Sequence, residues 1–187
     1  MYYHASPAAG IKILEPRTSN HHTPLIYFSK KRENVLVYLS NAVEKFCRET
    51  GYLHPGTWTK WGPYGFKNGV QQLEEYYPNA LEDTYKGVSA YIYTVHETPE
   101  MQPLEGIRDA VISAEPVPVA GVEHIEDAYQ AIMAAQEAGK IAVLRYEQLS
   151  KELRAWNERT IREEYAAAGA HPEYRHFIKA KFGWLSF

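Results

Sequence analysis

The chain has 187 residues, of which 45% are hydrophobic and 23% charged, and its formal net charge is −3. This length and composition predict one globular domain, residues 1–187, that is large enough to bury a substantial core. The acidic balance argues against an extended basic surface, so we expect no nucleic-acid partner.

The sequence also contains features that indicate the cellular compartment. The single cysteine, Cys47, excludes an intramolecular disulfide and lies in a helical pattern. No charged and then apolar leader opens the chain, and no run reaches the roughly 18 apolar residues that a membrane helix needs. We therefore expect a cytoplasmic protein without a membrane partner.

The N-terminal part predicts two short strands followed by a helix. Residues 2–6 form a short β-rich run, and a second compact run covers residues 25–28. Apolar residues then recur at steps of three and four between Asn34 and Glu49, which is the pattern of an amphipathic helix. Gly51 ends that helix.

The middle of the chain predicts a helix and then several strands. Residues 70–77 indicate a short helix, and residues 88–95, rich in β-branched and aromatic side chains, are the clearest strand. Residues 108–113 and 117–119 predict one or two further strands, which Pro116 and Pro118 interrupt.

The last third is mostly helical. A helix is predicted over residues 125–139, a short strand over 141–144 and a longer, charge-rich helix over 149–161. Pro172 stands where the first turn of a final helix begins. The whole layout predicts an α+β protein with helices packed against its core.

An aromatic loop at residues 52–66 stands out. Its tyrosines, tryptophans and phenylalanine are interleaved with glycines and prolines, which favours turns over a helix. The loop is expected either to cover the edge of the core or to form a lid over a ligand. A stacking platform for bases is less well supported, because only Lys60 and Lys67 supply positive charge nearby.

Several kinds of chemistry have no support. The adjacent pair His21-His22 lies in a loop without the spacing of helical metal ligands, and Cys47 has no partner cysteine, so we expect no metal site. The sequence contains no Gly-x-Ser-x-Gly nucleophile elbow and no glycine-rich phosphate loop.

Three short stretches, taken in order, carry a family resemblance. Residues 4–6 (His-Ala-Ser) are similar to a His-Gly-Ser/Thr strand, and residues 26–29 (Ile-Tyr-Phe-Ser) to an Ile-Tyr-Phe-Ala strand. Residues 109–117 are similar to Asp-Glu-Trp-Val-Ser-x-x-Pro-Val, and Tyr38 follows Tyr27 at the spacing of the family's two tyrosines. The chain thereby resembles compact bacterial or phage members of the ADP-ribosyltransferase superfamily, in its diphtheria-toxin and poly-ADP-ribose-polymerase branch.

The resemblance implies a fold and a site. The fold would be a split β-sheet core over residues 1–120, with a mostly helical part over residues 121–187 packed on it. NAD would be the substrate. His4 would bond a ribose hydroxyl, Ser6 would belong to the same binding motif, and the nicotinamide ring would stack between Tyr27 and Tyr38.

The resemblance also implies a reaction. Cleavage of the glycosidic bond releases nicotinamide through an oxocarbenium-like state, which a fixed carboxylate stabilises. The family's glutamate position falls on Ala110, however, and the nearest carboxylate, Asp109, needs a bulge or a one-residue slip to reach the cleft. Glu105 and Glu115 are placed less well, and Val35 occupies the position of a serine that binds the carboxamide.

Two functions from the same fold therefore stay open. One is transfer of ADP-ribose from NAD with Asp109 as the acid, to a protein side chain, a base or water. The other is a degenerate binder of NAD or ADP-ribose without turnover. A third alternative is an interaction protein that docks a partner through residues 52–66 or its C-terminal helices.

Overall fold

A computed structural model of the protein describes residues 1–18, 23–55 and 62–187. These residues form a mixed α+β fold, as the sequence predicts. The strands, in chain order, are β1 (Tyr2–Ser6), β2 (Ile13–Leu14), β3 (Arg17–Thr18), β4 (Pro24–Ser29), β5 (Tyr64–Lys67), β6 (Val70–Glu74), β7 (Ala90–Val95), β8 (Gln102–Pro103), β9 (Ala110–Ser113), β10 (Val117–Pro118), β11 (Gly121–Ile125) and β12 (Ile141–Leu144).

Helices connect and cover the strands. The α-helices are α1 (Ala42–Thr50), α2 (Ala80–Tyr85), α3 (Ala128–Glu137), α4 (Lys151–Ala167) and α5 (Pro172–Lys181). Short 3₁₀ helices cover Arg32–Tyr38, Tyr146–Gln148 and Ala168–Ala170. None of the helices in the described ranges is both long and apolar enough to cross a membrane.

The main sheet has seven strands in the order β11-β7-β1-β4-β9-β8, with β3 beside β4. Its neighbouring strands run antiparallel, and β1 lies between β7 and β4. A second sheet has the order β12-β6-β5, in which β6 pairs with β5 as a hairpin and with β12 in parallel. The strands β2 and β10 form a small separate pair.

The two faces of the main sheet pack against different layers. Successive residues of a strand point to opposite faces, so the register assigns each side chain to one of them. The face that we call the helical face carries Tyr3, Ala5, Tyr27, Ile92 and Ala110, and the opposite face carries Tyr2, His4, Phe28, Tyr93 and Val111. The 3₁₀ helix Arg32–Tyr38 and α3 cover the helical face.

Buried apolar side chains of the described residues form three clusters. The largest joins the helical face to the 3₁₀ helix, to α3 and to the second sheet, through residues such as Leu36, Ile92 and Ile132. A second cluster lies between α1, α2 and α5, where Cys47 is fully buried. The third cluster covers the opposite face of the main sheet.

The prediction of a helix at residues 70–77 is wrong. Residues Val70–Glu74 form β6, because Asn68 and Gly69 both have positive φ, 51° and 79°, and close a tight hairpin with β5. Two central residues with positive φ characterise the hairpin turn that Asn-Gly favours. The turn, not the apolar spacing, decides the structure here.

Two other boundaries differ from the sequence predictions. The helix predicted from Asn34 to Glu49 is two elements, the 3₁₀ helix Arg32–Tyr38 and α1, separated by Leu39, Ser40 and Asn41. The helix predicted from residue 125 begins at Ala128, and the residues before it form the edge strand β11. Residues 121–187 thus supply one strand to each of the two larger sheets.

Candidate functional site

His4 lies on β1 and contacts the neighbouring strand β4 through its side chain. Its Nδ1 is 2.8 Å from the backbone carbonyl oxygen of Tyr27. Because a carbonyl oxygen only accepts, Nδ1 must carry the proton and donate it. In the neutral ring this leaves Nε2 as an acceptor.

The surroundings of His4 favour the neutral ring. Burial lowers the pKa of His4 below its ordinary value of 6.5; the contact with the Tyr27 carbonyl opposes this shift, and the positive charge of Arg17 adds to it. The ring packs edge-on against Phe28, with ring centroids 6.0 Å apart. At neutral pH His4 therefore offers an uncharged acceptor.

Tyr27 and Tyr38 lie on the same side of the sheet. Tyr27 points to the helical face from β4, and Tyr38 is the last residue of the 3₁₀ helix that covers this face. Burial of the Tyr38 hydroxyl, next to those of Tyr64 and Tyr27, raises the pKa of Tyr38 above its ordinary value. The Tyr38 ring is 37% exposed, so it lies at the surface of the fold.

The site residues predicted from the sequence fall into two groups. Tyr27 and Tyr38 share the helical face, whereas the register puts the His4 ring on the opposite face with Phe28. The His4 ring is joined to Tyr27 by the carbonyl, not by the tyrosine ring. Ser6 ends β1, and its Oγ accepts a hydrogen bond of 3.2 Å from the backbone N–H of Ala8.

Asp109 departs from regular strand geometry immediately before β9. Its φ is 60°, which is uncommon for a residue other than glycine and removes it from the alternation of the strand. Its carboxylate lies 3.1 Å from Nζ of Lys31, and its carbonyl accepts from the backbone N–H of Lys30. Ala110, opposite Ser29, faces the same side as Tyr27.

Three neighbours of these residues escaped the sequence analysis. Tyr64 on β5 places its hydroxyl 2.8 Å from that of Tyr38, with the two rings nearly perpendicular and 6.1 Å apart. Lys31 pairs with Asp109, and the positive charge of Arg17 lowers the pKa of His4. Only Tyr64 carried a signal, because it belongs to the aromatic loop; the two cations stand in segments without a recognisable pattern.

Two concave sites of the described fold do not contain His4, Tyr27 or Tyr38. One, of about 250 Å³, is lined by residues of α1, α2 and α5. The other, of about 270 Å³, lies against α4 and includes Tyr64. Within residues 1–18, 23–55 and 62–187, no three His, Cys, Asp or Glu side chains gather as metal ligands.

Some sequence predictions lie outside the described residues. They are the pair His21-His22 and the part of the aromatic loop at residues 56–61, which holds Lys60 and two tryptophans. Of the same loop, the structure describes Tyr52 at one end and the strand β5 at the other.

Comparisons with protein-family models, with curated proteins and with solved structures gave no match for this chain. The family resemblance thus depends on the residues quoted above and on their order and spacing.

Proposed function

We propose that this cytoplasmic protein has an ADP-ribosyltransferase-like split β-sheet fold and binds NAD at the strands β1 and β4. The observation that carries the proposal is the hydrogen bond of 2.8 Å from His4 Nδ1 to the Tyr27 carbonyl. It makes the two most characteristic stretches of the family resemblance direct neighbours.

Each residue has a role in this proposal. The ring of His4 lies on the opposite face of the sheet from Tyr27 and Tyr38, so it does not reach the ribose of a nicotinamide held between the two tyrosines. In this proposal His4 holds β1 against β4 through the Tyr27 carbonyl, and Ser6 belongs to the same strand as His4. The nicotinamide ring stacks between Tyr27 and Tyr38, which share the helical face. As the glycosidic bond breaks, positive charge develops on the ribose, and a carboxylate close to the ring stabilises it.

The experiment for binding is calorimetric titration with NAD and with nicotinamide. We expect Tyr38→Ala to weaken NAD binding at least about fivefold, because stacking of one ring contributes roughly 1–3 kcal/mol. Tyr52→Ala is the matched control, since Tyr52 is 39% exposed, close to the 37% of Tyr38, and stacks on His176 instead. Absence of NAD binding at millimolar concentration, or equal losses in the two variants, contradicts the proposal.

A second candidate, a binder of NAD or ADP-ribose without turnover, has its own support. Ala110 occupies the position of the family's glutamate on the same face as Tyr27, and the Asp109 carboxylate is paired with Lys31. In the transferase proposal Asp109 is the acid; in the binder proposal no carboxylate reaches the ribose.

Release of nicotinamide from NAD separates the two candidates. If the protein is a transferase, the wild type releases nicotinamide and Asp109→Ala abolishes the release. If it is a binder, the wild type binds NAD without releasing nicotinamide, and Ala110→Glu raises the release above background. Ala110→Gln is the control, because it has the same size without the charge.

A further inference from the structure

Tyr38 combines a buried hydroxyl with a partly exposed ring. The residue is 37% exposed, and burial of the hydroxyl is the main cause of its raised pKa. The polar end of the side chain is thus held inside the fold while part of the flat ring stays accessible. A ring that stacks on a ligand needs this accessible surface, and it binds more tightly when its orientation is already fixed.

The backbone at Tyr38 is fixed by a buried tyrosine. Tyr85 is buried, and its hydroxyl donates a hydrogen bond of 3.0 Å to the carbonyl oxygen of Val37, the residue before Tyr38. Val37 is buried as well. These contacts hold the end of the 3₁₀ helix, but they act on the backbone and not on the side-chain torsions of Tyr38.

Tyr64 supplies a contact at the hydroxyl end of the Tyr38 ring. The two hydroxyl oxygens are 2.8 Å apart, so one hydroxyl donates to the other. The ring planes meet at 84°, with the centroids 6.1 Å apart. A neighbour in this perpendicular arrangement covers at most one face of the ring. The contact with Tyr64 therefore restrains the Tyr38 ring and leaves its other face to a different partner.

Tyr64 is itself held by the β5–β6 hairpin. It is the first residue of β5 and lies opposite Leu73 of β6, which is buried. At the turn of the hairpin, the Gly69 carbonyl accepts a hydrogen bond of 3.2 Å from Nζ of Lys31. The strand β6 also pairs in parallel with β12. The hairpin is thus attached to the fold at its turn and along one strand, which gives Tyr64 a fixed position.

We propose that Tyr64 is a positioning residue of the NAD site, whose hydroxyl holds the Tyr38 ring in the orientation that stacks on nicotinamide. This inference rests on the proposed function. Tyr64 acts through Tyr38 and needs no contact with the ligand. It restricts the Tyr38 ring before binding, so that less side-chain freedom is lost when the ligand binds. The effect therefore belongs to ligands that carry the nicotinamide ring.

Calorimetric titration of the full chain with NAD, nicotinamide and ADP-ribose tests this role in Tyr64→Phe, which keeps the ring and removes only the hydroxyl. We expect the binding of NAD and of nicotinamide to weaken about two- to tenfold, the factor that corresponds to ordering one side chain. Binding of ADP-ribose, which lacks the nicotinamide ring, should be unchanged. Equal losses for all three ligands would mean a general disturbance of the site and would overturn the inference.

A double-mutant cycle tests the contact between the two hydroxyls. Tyr38→Phe is expected to match Tyr64→Phe, and the double variant should bind NAD no more weakly than either single variant, because both changes remove the same hydrogen bond. Tyr129→Phe is the matched control, since its partly buried hydroxyl donates to Glu82 instead, and it should bind NAD like the wild type. Losses that multiply in the double variant overturn the inference.

The same cycle has a readout without ligand. In urea unfolding, the double variant should lose less stability than the sum of the losses in the two single variants. If this coupling is found and the wild type does not bind NAD, the contact exists, but the proposed function fails and the role of Tyr64 fails with it. NAD binding that Tyr64→Phe leaves unchanged overturns the role of Tyr64 alone.

Discussion

His4 illustrates how one side-chain contact defines the chemistry of a residue. The Tyr27 carbonyl holds the proton on Nδ1, and burial lowers the pKa of the ring below 6.5. The strand and the histidine can be read from the sequence. The tautomer cannot, because the acceptor is a backbone atom 23 residues away whose position depends on strand pairing.

The lowered pKa of His4 predicts a pH dependence of stability. As the pH falls below 6.5, the unfolded chain takes up a proton at His4 that the folded protein binds only at lower pH. The free energy of unfolding therefore falls with decreasing pH below 6.5, by at most about 1.4 kcal/mol per pH unit from this group. Urea unfolding of the wild type at pH 5.5 and 7.5 measures the effect.

His4→Asn is the matched variant for this measurement, because its amide nitrogen can replace Nδ1 as the donor to the Tyr27 carbonyl but does not titrate. We expect its stability to change less between the two pH values than that of the wild type. An identical change in both proteins would mean that other groups cause the pH dependence.

At the level of secondary structure elements, the β5–β6 hairpin shows what local sequence can predict. The pair Asn68-Gly69 is the strongest short-range signal for a hairpin, and the structure forms that turn. The apolar spacing of Val70 and Leu73 alone also fits a helix. In this segment the Asn-Gly pair therefore predicts the structure better than the spacing of the apolar residues.

Tertiary packing decides the segment from Arg32 to Thr50. Val35, Leu36 and Val37 are consecutive and all buried, which one amphipathic α-helix face cannot achieve. A 3₁₀ helix enclosed by other elements buries all three, and the chain then begins α1 anew. This outcome depends on distant strands, so no local pattern could have shown it.

Glu75 joins three elements through one buried carboxylate. It is 2% exposed and accepts hydrogen bonds from Arg145 and from the backbone N–H groups of Leu81 and Tyr146. It thereby connects the end of β6 to α2 and to the segment after β12. A buried carboxylate with three donors stabilises their relative arrangement.

We predict that Glu75→Ala lowers the free energy of unfolding by roughly 3 kcal/mol, because it leaves Arg145, the buried N–H of Leu81 and the partly buried N–H of Tyr146 without this acceptor. Urea unfolding at neutral pH measures this loss. Glu163→Ala on the surface of α4 is the control and should change stability by less than about 0.5 kcal/mol. Equal effects would show that the Glu75 contacts do not stabilise the fold.

For the whole molecule, residues 121–187 share sheets and core with residues 1–120. It contributes β11 to the main sheet and β12 to the second sheet. Ile125, Ile132 and Ile141 lie in the same apolar cluster as Leu36 and Ile92. The sequence suggested helices packed on a core, but strand partners so distant in the chain have no local signature.

This integration predicts that residues 1–120 do not fold alone. Loss of the three isoleucines alone removes about 5–9 kcal/mol of apolar burial, at roughly 1.5–3 kcal/mol for each side chain. That is comparable to the entire stability of a typical domain, about 5–15 kcal/mol. Circular dichroism of residues 1–120 should show an unfolded chain, and adding residues 121–187 as a separate chain should restore structure. Cooperative thermal unfolding of residues 1–120 by themselves would contradict this and would mean that the N-terminal part has a sufficient core of its own.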